Sequence, residues 1–455
     1  MPAPCALSPR AAGLGWRTEL AADLLSQPAA ADLVEVVAET CFAQPRALRE
    51  AHAIAEVWPV IPHGVKLSLG SADGIETARA RRLGTLAREL RAPAVSEHVA
   101  LTRGGSREIG HLTAVPFTRQ QVRVVARNVA ALRRHLPDVP LLLENIAWTL
   151  RFPEDEMGEG AFHAEVAEAT GCELLLDLAN LYANALNAGL PPLGLLRSYP
   201  LHRVGMVHLA GGVHEQGFYL DTHAHAIPAQ VYELLAELLR VRGPVPVIVE
   251  RDARFPAFDE LRAEVARARE LLHAAPDVSR PRPRATASFA GGDEPGLAAR
   301  QRALAELLTD PEPRPDPTLD PAAIARSRMI LHRKRVDDAL PLLPRTSAAG
   351  EALQAIALRA LHGAPRSPSR AAIADARRIA EAATSEPGFA AAARLDLLEL
   401  RARFGPDRQL RRAPFAGRET LPDGSAAWAL KGPGREATIV FLGHCRTAVP
   451  SGGSR

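Results

Sequence analysis

The chain has 455 residues and nearly balanced charge, 55 Lys plus Arg against 52 Asp plus Glu. That length suits a barrel followed by a smaller domain, and the neutral balance argues against a nucleic-acid coat or a membrane-surface protein. The cysteines Cys5, Cys41, Cys172 and Cys445 are scattered, which excludes a disulfide framework. No apolar run approaches the ~20 residues of a membrane span and no signal-peptide pattern is present, so the expectation is a cytoplasmic protein.

Short apolar runs recur over the first 250 residues: Gly13–Trp16, Leu33–Ala38, Val60–His63, Ala94–His98, Leu141–Asn145, Glu173–Asp177, Val204–His208 and Val245–Glu250. Near-continuous Val, Ile and Leu of this length suits parallel strands buried on both faces. Between them, Thr77–Arg91, Thr118–His135, Phe162–Thr170, Ala229–Arg240 and Phe258–Leu272 set Arg and Glu against Ala and Leu, as amphipathic helices do. The α/β fold class follows, as a (β/α)8 TIM barrel over residues 1–273. No Gly-x-Gly-x-x-Gly turn supports an open dinucleotide-binding sheet instead.

From Ala274 to Gly296 the composition turns to Pro, Arg, Ser and Gly, which reads as a flexible linker. The Ala- and Leu-rich segments Leu297–Leu308, Pro321–Leu340, Ala348–Leu361, Arg370–Thr384 and Pro387–Arg403 predict a mostly helical domain over 297–404. Within 405–455, Ser425–Leu430 and Glu436–Leu442 around Gly432-Pro433-Gly434 predict a terminal β-hairpin, followed by a disordered tail. An edge of that hairpin could take a peptide as an added strand, which would make the C-terminal domain a presenter of substrate that holds no metal.

The polar residues fall at the carboxyl ends of the strands, where a barrel carries its active site. The strands run into His63, Glu97-His98, Glu144-Asn145, Asp177, His208 and Glu250, with Glu39 near the end of the second. One loop adds Asp221-Thr222-His223-Ala224-His225. One such charge can simply mark where a strand meets solvent. Carboxylates converging from several strands would repel without cations, and metal ions relieve that repulsion. Mixed His and carboxylate donors suit iron, manganese or zinc.

These segments together resemble the multinuclear non-haem iron-dependent oxidative enzymes, which include the methanobactin maturases, over roughly residues 10–272. The matching pieces are Val34–Glu39, His63–Ser71, Ser96–His98, Leu142–Asn145, Leu175–Asn180, His208–Gly211, Asp221–His223 and Glu250–Asp252. The resemblance implies that Glu144, Asp177, His208 and Glu250 surround one iron. It gives His63 and Glu97 to a neighbouring iron, with Glu144 bridging. Asn180, Asp221 and His223 fall where some members hold a third, although methanobactin maturases carry a histidine at the position of Asn180. His98 and His225 are outer groups on this reading, His214 is an exposed loop residue, and Cys41 and Cys172 are packing residues.

The implied activity is that of an oxidoreductase with iron as cofactor, two or three ions, and dioxygen as co-substrate. The implied partner is a ribosomally made precursor peptide, modified at cysteine, with a small partner protein in some relatives. No side-chain general base is required. Two other function classes stay open on the residues alone. One is a redox-inert divalent-metal barrel enzyme, sugar isomerase-like or zinc endonuclease-like. The other is a non-catalytic peptide-binding module, for which Arg326–Arg328 and His332–Arg335 offer a basic patch.

Overall fold

The computed structural model describes residues 7–278, 294–350, 352–364, 371–404, 415–422, 426–431 and 438–442. Eight parallel strands close into a barrel: Ala12–Gly15, Val34–Val37, Val60–Gly64, Val95–His98, Leu141–Glu144, Glu173–Asp177, Val204–Leu209 and Val247–Val249. Each pairs with its neighbours in chain order, and the first closes on the eighth through Ala12 opposite Val247. All eight strands expected from the sequence are present.

One layer of the barrel interior is apolar. Ala11, Leu33, Ile61, Ala94, Leu142, Leu175, Met206 and Ile248 meet as a buried cluster, with one residue from each strand or from the position just ahead of it. Side chains alternate across a strand. Two residues further on, the same inward rows therefore carry Gly13, Glu35, His63, Ser96, Glu144, Asp177, His208 and Glu250, all buried. The first ring fills the barrel, and the second forms the floor of its mouth.

Helices wrap this sheet where amphipathic segments were expected, at Thr77–Glu89, Arg119–Arg133, Glu159–Thr170, Ala229–Arg242 and Phe258–Ala274. The sequence reading passed over Ala38–Ala43, Pro45–Ile54, Leu178–Asn187 and Pro192–Ser198. Leu178–Asn187 has no charged residue and buries most of its side chains, so it lacks the Arg and Glu that mark the exposed faces of the other helices. Two antiparallel hairpins rise from the mouth, Leu101–Gly104 with Arg107–Thr113 and Gly211–Glu215 with Phe218–His225. The sequence alone suggests loops in both places.

The chain divides into two compact units. The first comprises Met1–Ala305 and Asp316–Ile324, so it includes the start of the helix Pro295–Thr309. Gln301 of that helix is buried. Its Nε2 donates to Gly70 O at 2.8 Å, and its Oε1 accepts from Ala72 N at 2.7 Å. Most of the expected linker, residues 279–293, lies outside the described residues.

The second unit comprises Glu306–Pro315 and Ala325–Arg455. Its helices include Leu353–Leu361, Ala371–Ala383 and Ala390–Phe404, packed around Val336, Ile356, Ile379 and Leu397. The expected hairpin is part of an antiparallel sheet of three strands, Phe415–Thr420, Ala426–Lys431 and Thr438–Leu442, with Ala426–Lys431 central. Leu395, Leu398 and Ala402 of the last helix pack with Ala427 of that sheet. The expected tail over 443–455 lies outside the described residues.

Candidate metal centre

Seven of the nine residues singled out from the sequence converge at the mouth: His63, Glu144, Asp177, His208, Asp221, His223 and Glu250. Glu144 is the hub. Its Oε2 lies 3.5 Å from His63 Nε2 and 3.3 Å from His98 Nε2, and its Oε1 lies 3.3 Å from His208 Nδ1. Glu250 Oε2 meets His208 Nδ1 at 3.2 Å and His223 Nδ1 at 3.0 Å. His223 Nε2 faces Asp221 Oδ2 at 2.9 Å and Asp177 Oδ2 at 3.5 Å. These side chains form overlapping groups with the spacing of metal ligands: His63, His98 and Glu144; Glu144, Asp177 and His208; and Asp177, His223 and Glu250.

Glu97 and Asn180 are used differently. Glu97 follows the inward-facing Ser96, so alternation turns it out of the mouth. Its carboxylate accepts from the backbone N–H of His98 at 2.9 Å and of Leu67 at 3.3 Å. His98, two residues past Ser96, faces inward again and stands in the group with His63 and Glu144. Asn180 N donates to Asp177 Oδ1 at 2.7 Å, which caps the helix Leu178–Asn187. The Asn180 side chain donates to Asn145 O at 3.1 Å. Asp177 thus spends one oxygen on the cap and turns the other to the mouth.

Glu35 is the residue that the sequence reading missed. It is 2% exposed, and its Oε1 lies 3.1 Å from His208 Nε2. The signal was available, because Glu35 stands two residues after Leu33 as Glu144 stands two after Leu142. A glutamate in mid-strand, flanked by valines, reads instead as an exposed alternation. Glu39 lies at the rim and accepts from Val65 N and Lys66 N. Burial, reinforced by Glu97, pushes its carboxyl up to about 7.

The outer nitrogens of three histidines are already engaged. His63 Nδ1 pairs with Ser96 Oγ at 2.8 Å, His98 Nδ1 with Gly64 O at 3.2 Å, and His208 Nε2 with Glu35. Several buried inner atoms have close polar neighbours but no well-aligned hydrogen bond: Glu144 Oε2, Asp177 Oδ2, His208 Nδ1, Asp221 Oδ1 and His223 Nε2. Such atoms are costly in a folded protein unless a bound group satisfies them. All are donor atoms that suit a transition metal.

The electrostatics agree. Burial opposes the imidazolium of His98, yet Glu144 and Glu97 outweigh it and raise the group to about 9. Burial likewise opposes ionisation of Glu144, but His98, His208 and His63 bring it down to about 2. Burial raises Asp177 to about 8, helped by Asp221 and Glu144 against the pull of His223. Without metal, this many carboxylates hold protons on their neighbours, and cations would replace those protons.

His223 sits at φ 49°, a left-handed conformation that costs a non-glycine residue roughly 1–3 kcal/mol. The hairpin that carries it and the bond from Asp252 N to His223 O at 2.7 Å hold it there. His225 is turned outward, to Thr222 Oγ1 and Arg254. His214 is exposed beside Tyr219. Cys41 and Cys172 are buried, and burial pushes the Cys41 thiol up to about 11.

The family model for the RiPP precursor modification enzymes MbnB/TglH/ChrH matches residues 11–273, and the chain belongs to that family. It is 39% identical over 272 residues to a UPF0276 protein of Streptomyces avermitilis, covering 58% of this chain and 55% of that one. The chain therefore spans about half the length of that relative. It is 35% identical over 271 residues to a UPF0276 protein of Chromobacterium violaceum, covering 60% of this chain and 98% of that one. Among solved structures, endonuclease IV from Thermus thermophilus is 21% identical with a TM-score of 0.38, covering 58% of this chain and 99% of that one. An L-ribulose 3-epimerase is 17% identical with a TM-score of 0.37, covering 58% and 92%. No described helix is long and apolar enough to cross a membrane.

Proposed function

We propose that this member of the RiPP precursor modification family is a multinuclear iron-dependent oxidase that uses dioxygen to modify a ribosomally made peptide at cysteine. The observation that carries the reading is the convergence of buried histidine and carboxylate donor atoms at the barrel mouth, at the spacing of metal ligands and without well-aligned hydrogen bonds. Glu144, Asp177, His208 and Glu250 would hold one iron. His63 and His98 would hold a second and share Glu144 with the first, His98 taking the place that the resemblance gives to Glu97. Asp177, His223 and Glu250, with Asp221 beside them, form a further group for a third.

Iron bound there supplies one-electron chemistry with dioxygen. The chain itself supplies ligand geometry, charge neutralisation and a mouth from which the buried ring excludes water. The substrate class follows from the family, and the choice of cysteine from the resemblance read in the sequence. The helices and three-stranded sheet of the second unit are proposed to present the peptide, with Phe415–Thr420 or Thr438–Leu442 as the strand that pairs with it.

The test is metal analysis of anaerobically purified protein, followed by turnover with a cysteine-containing candidate precursor peptide, with and without oxygen. At least two irons per chain and oxygen-dependent modification are expected. Zinc or manganese in place of iron, with no oxygen requirement, would replace this reading by a redox-inert one.

A further inference from the structure

We propose that Glu35 and Ser96 are positioning residues that fix which ring nitrogen of His63 and of His208 faces the metal centre. The inference rests on the reading of the mouth as a metal site and adds to it the layer that sets its histidines. Of the eight ring positions, five carry the donors His63, Glu144, Asp177, His208 and Glu250. Gly13 has no room for a side chain, since a Cβ there would lie 2.0 Å from Leu33 O. Glu35 and Ser96 remain, both buried and both bonded to histidines of the ring.

The bonds define a direction. Ser96 Oγ donates to Glu35 Oε2 at 3.4 Å. A hydroxyl whose proton points to that carboxylate accepts from His63 Nδ1, at 2.8 Å. His63 therefore carries hydrogen on Nδ1, and its Nε2 lone pair is left toward Glu144. The Glu35 carboxylate is an acceptor, so His208 Nε2, at 3.1 Å, donates to it. A metal that displaces the proton on His208 Nδ1 would meet a lone pair directed toward Glu144 and Glu250.

Glu35 also falls with His208 and Glu250 in a group with the spacing of metal ligands. One imidazole cannot bring both of its nitrogens to one ion, and here Glu35 meets the nitrogen opposite Glu144 and Glu250. Its place is behind the ring, where a carboxylate orients a ligating imidazole and raises its basicity. A single chain of bonds, His63 to Ser96 to Glu35 and His208 to Glu35, thus sets two histidines whose strands are not adjacent in the barrel.

The probe is Zn(II), which is diamagnetic, bound to the full chain labelled with nitrogen-15 at histidine. Long-range proton–nitrogen spectra should find His63 protonated at Nδ1 and His208 at Nε2. Glu35→Ala should blur the His208 pattern and weaken Zn(II) binding roughly 10–100-fold. Glu35→Gln keeps an acceptor oxygen and should restore the pattern and most of the affinity. Ser96→Ala should disturb His63 and leave the Nε2 proton of His208 in place. Unchanged ring patterns and Zn(II) affinity in Glu35→Ala and Ser96→Ala would overturn the inference while the metal site stands. If Glu35→Ala does not fold, an unchanged His63 pattern in Ser96→Ala overturns it alone. A wild-type chain that binds no Zn(II) and no iron removes the metal site and this inference together.

Discussion

Nη2 of Arg17 lies 4.0 Å from Oε1 of Glu250, while Oε2 of the same carboxylate meets His208 and His223. Arg17 follows the first strand, its Nη1 donates to Trp16 O at 2.8 Å, and it pairs with Asp252. Its side chain is 17% exposed and that of Asp252 is 48%. It is a fixed cation beside an excess of buried carboxylates. Arg17→Gln should destabilise the metal-free protein by about 1–3 kcal/mol, between the values for exposed and buried pairs. The metal-loaded protein should lose less, because the ions take over the neutralisation. Denaturant unfolding of both forms measures this, and equal losses would count against the assignment.

Glu144 belongs to two of the candidate groups at once. Glu144→Ala should therefore lose more than one iron per chain, whereas His63→Ala should lose about one. Metal analysis after anaerobic purification reads the difference directly. Full iron retention in Glu144→Ala would sink the shared assignment. Removing Glu144 also takes from His98, His208 and His63 the carboxylate that they share, so the fold of the variant is checked by circular dichroism beside Glu144→Gln, which keeps the side-chain volume.

The barrel and most of its mouth were legible because parallel strands buried on both faces leave nearly continuous apolar runs, and the polar residue that ends each run stands out. Glu35 and Ser96 were harder to find because they lie within their runs rather than at the ends. Counting two residues on from each apolar ring member, Leu33 and Ala94 included, would have found both. The same count separates His98 from Glu97, which the resemblance had ranked the other way. The hairpin Gly211–Glu215 with Phe218–His225 escaped because its strands mix Phe218 and Tyr219 with Gly211, Gly212, Asp221 and three histidines, which blurs the strand signal. Nothing local in Gln301 announces that it reaches back to Gly70, because that contact is set by tertiary packing.

That contact gives the next expectation. Gln301 is buried and satisfies Ala72 N and Gly70 O, and its Nε2 also lies 3.2 Å from Gln121 Oε1. Gln301→Ala strands the Ala72 N–H and should cost about 1–3 kcal/mol. Hydrogen exchange should rise in residues 68–74 and in the hairpin from Leu101, because Gly104 lies so close to the helix that a Cβ there would meet Gln301 O at 2.5 Å. Exchange confined to the helix Pro295–Thr309 would mean that the helix rests on the barrel without bracing these loops.

His163 carries the expectation for pH. It lies on the helix Glu159–Thr170, is 4% exposed, stacks on Tyr199 with ring centroids 5.4 Å apart, and its Nδ1 has no hydrogen-bond partner. Burial alone lowers it to about 3. The folded pKa thus lies below the unfolded value of about 6.5. As pH falls through 6.5 the unfolded chain takes up a proton that the folded chain refuses until about 3. Stability from this group is therefore complete above the unfolded pKa and is lost on acidification, by about 1.4 kcal/mol per pH unit in the steep part. Between pH 7 and pH 5 the loss from His163 should be about 2 kcal/mol. Glu159, which accepts from Tyr199 Oη at 2.6 Å, Glu39 and Asp177 are also raised by burial, so the wild-type profile mixes several groups. His163→Phe isolates the histidine: it keeps an aromatic ring against Phe162 and Tyr199 and removes both the titration and the unpaired nitrogen. Urea unfolding at the two pH values should give a wild-type loss exceeding that of His163→Phe by about 2 kcal/mol. Parallel losses in the two proteins would mean that His163 is not held neutral in the folded chain.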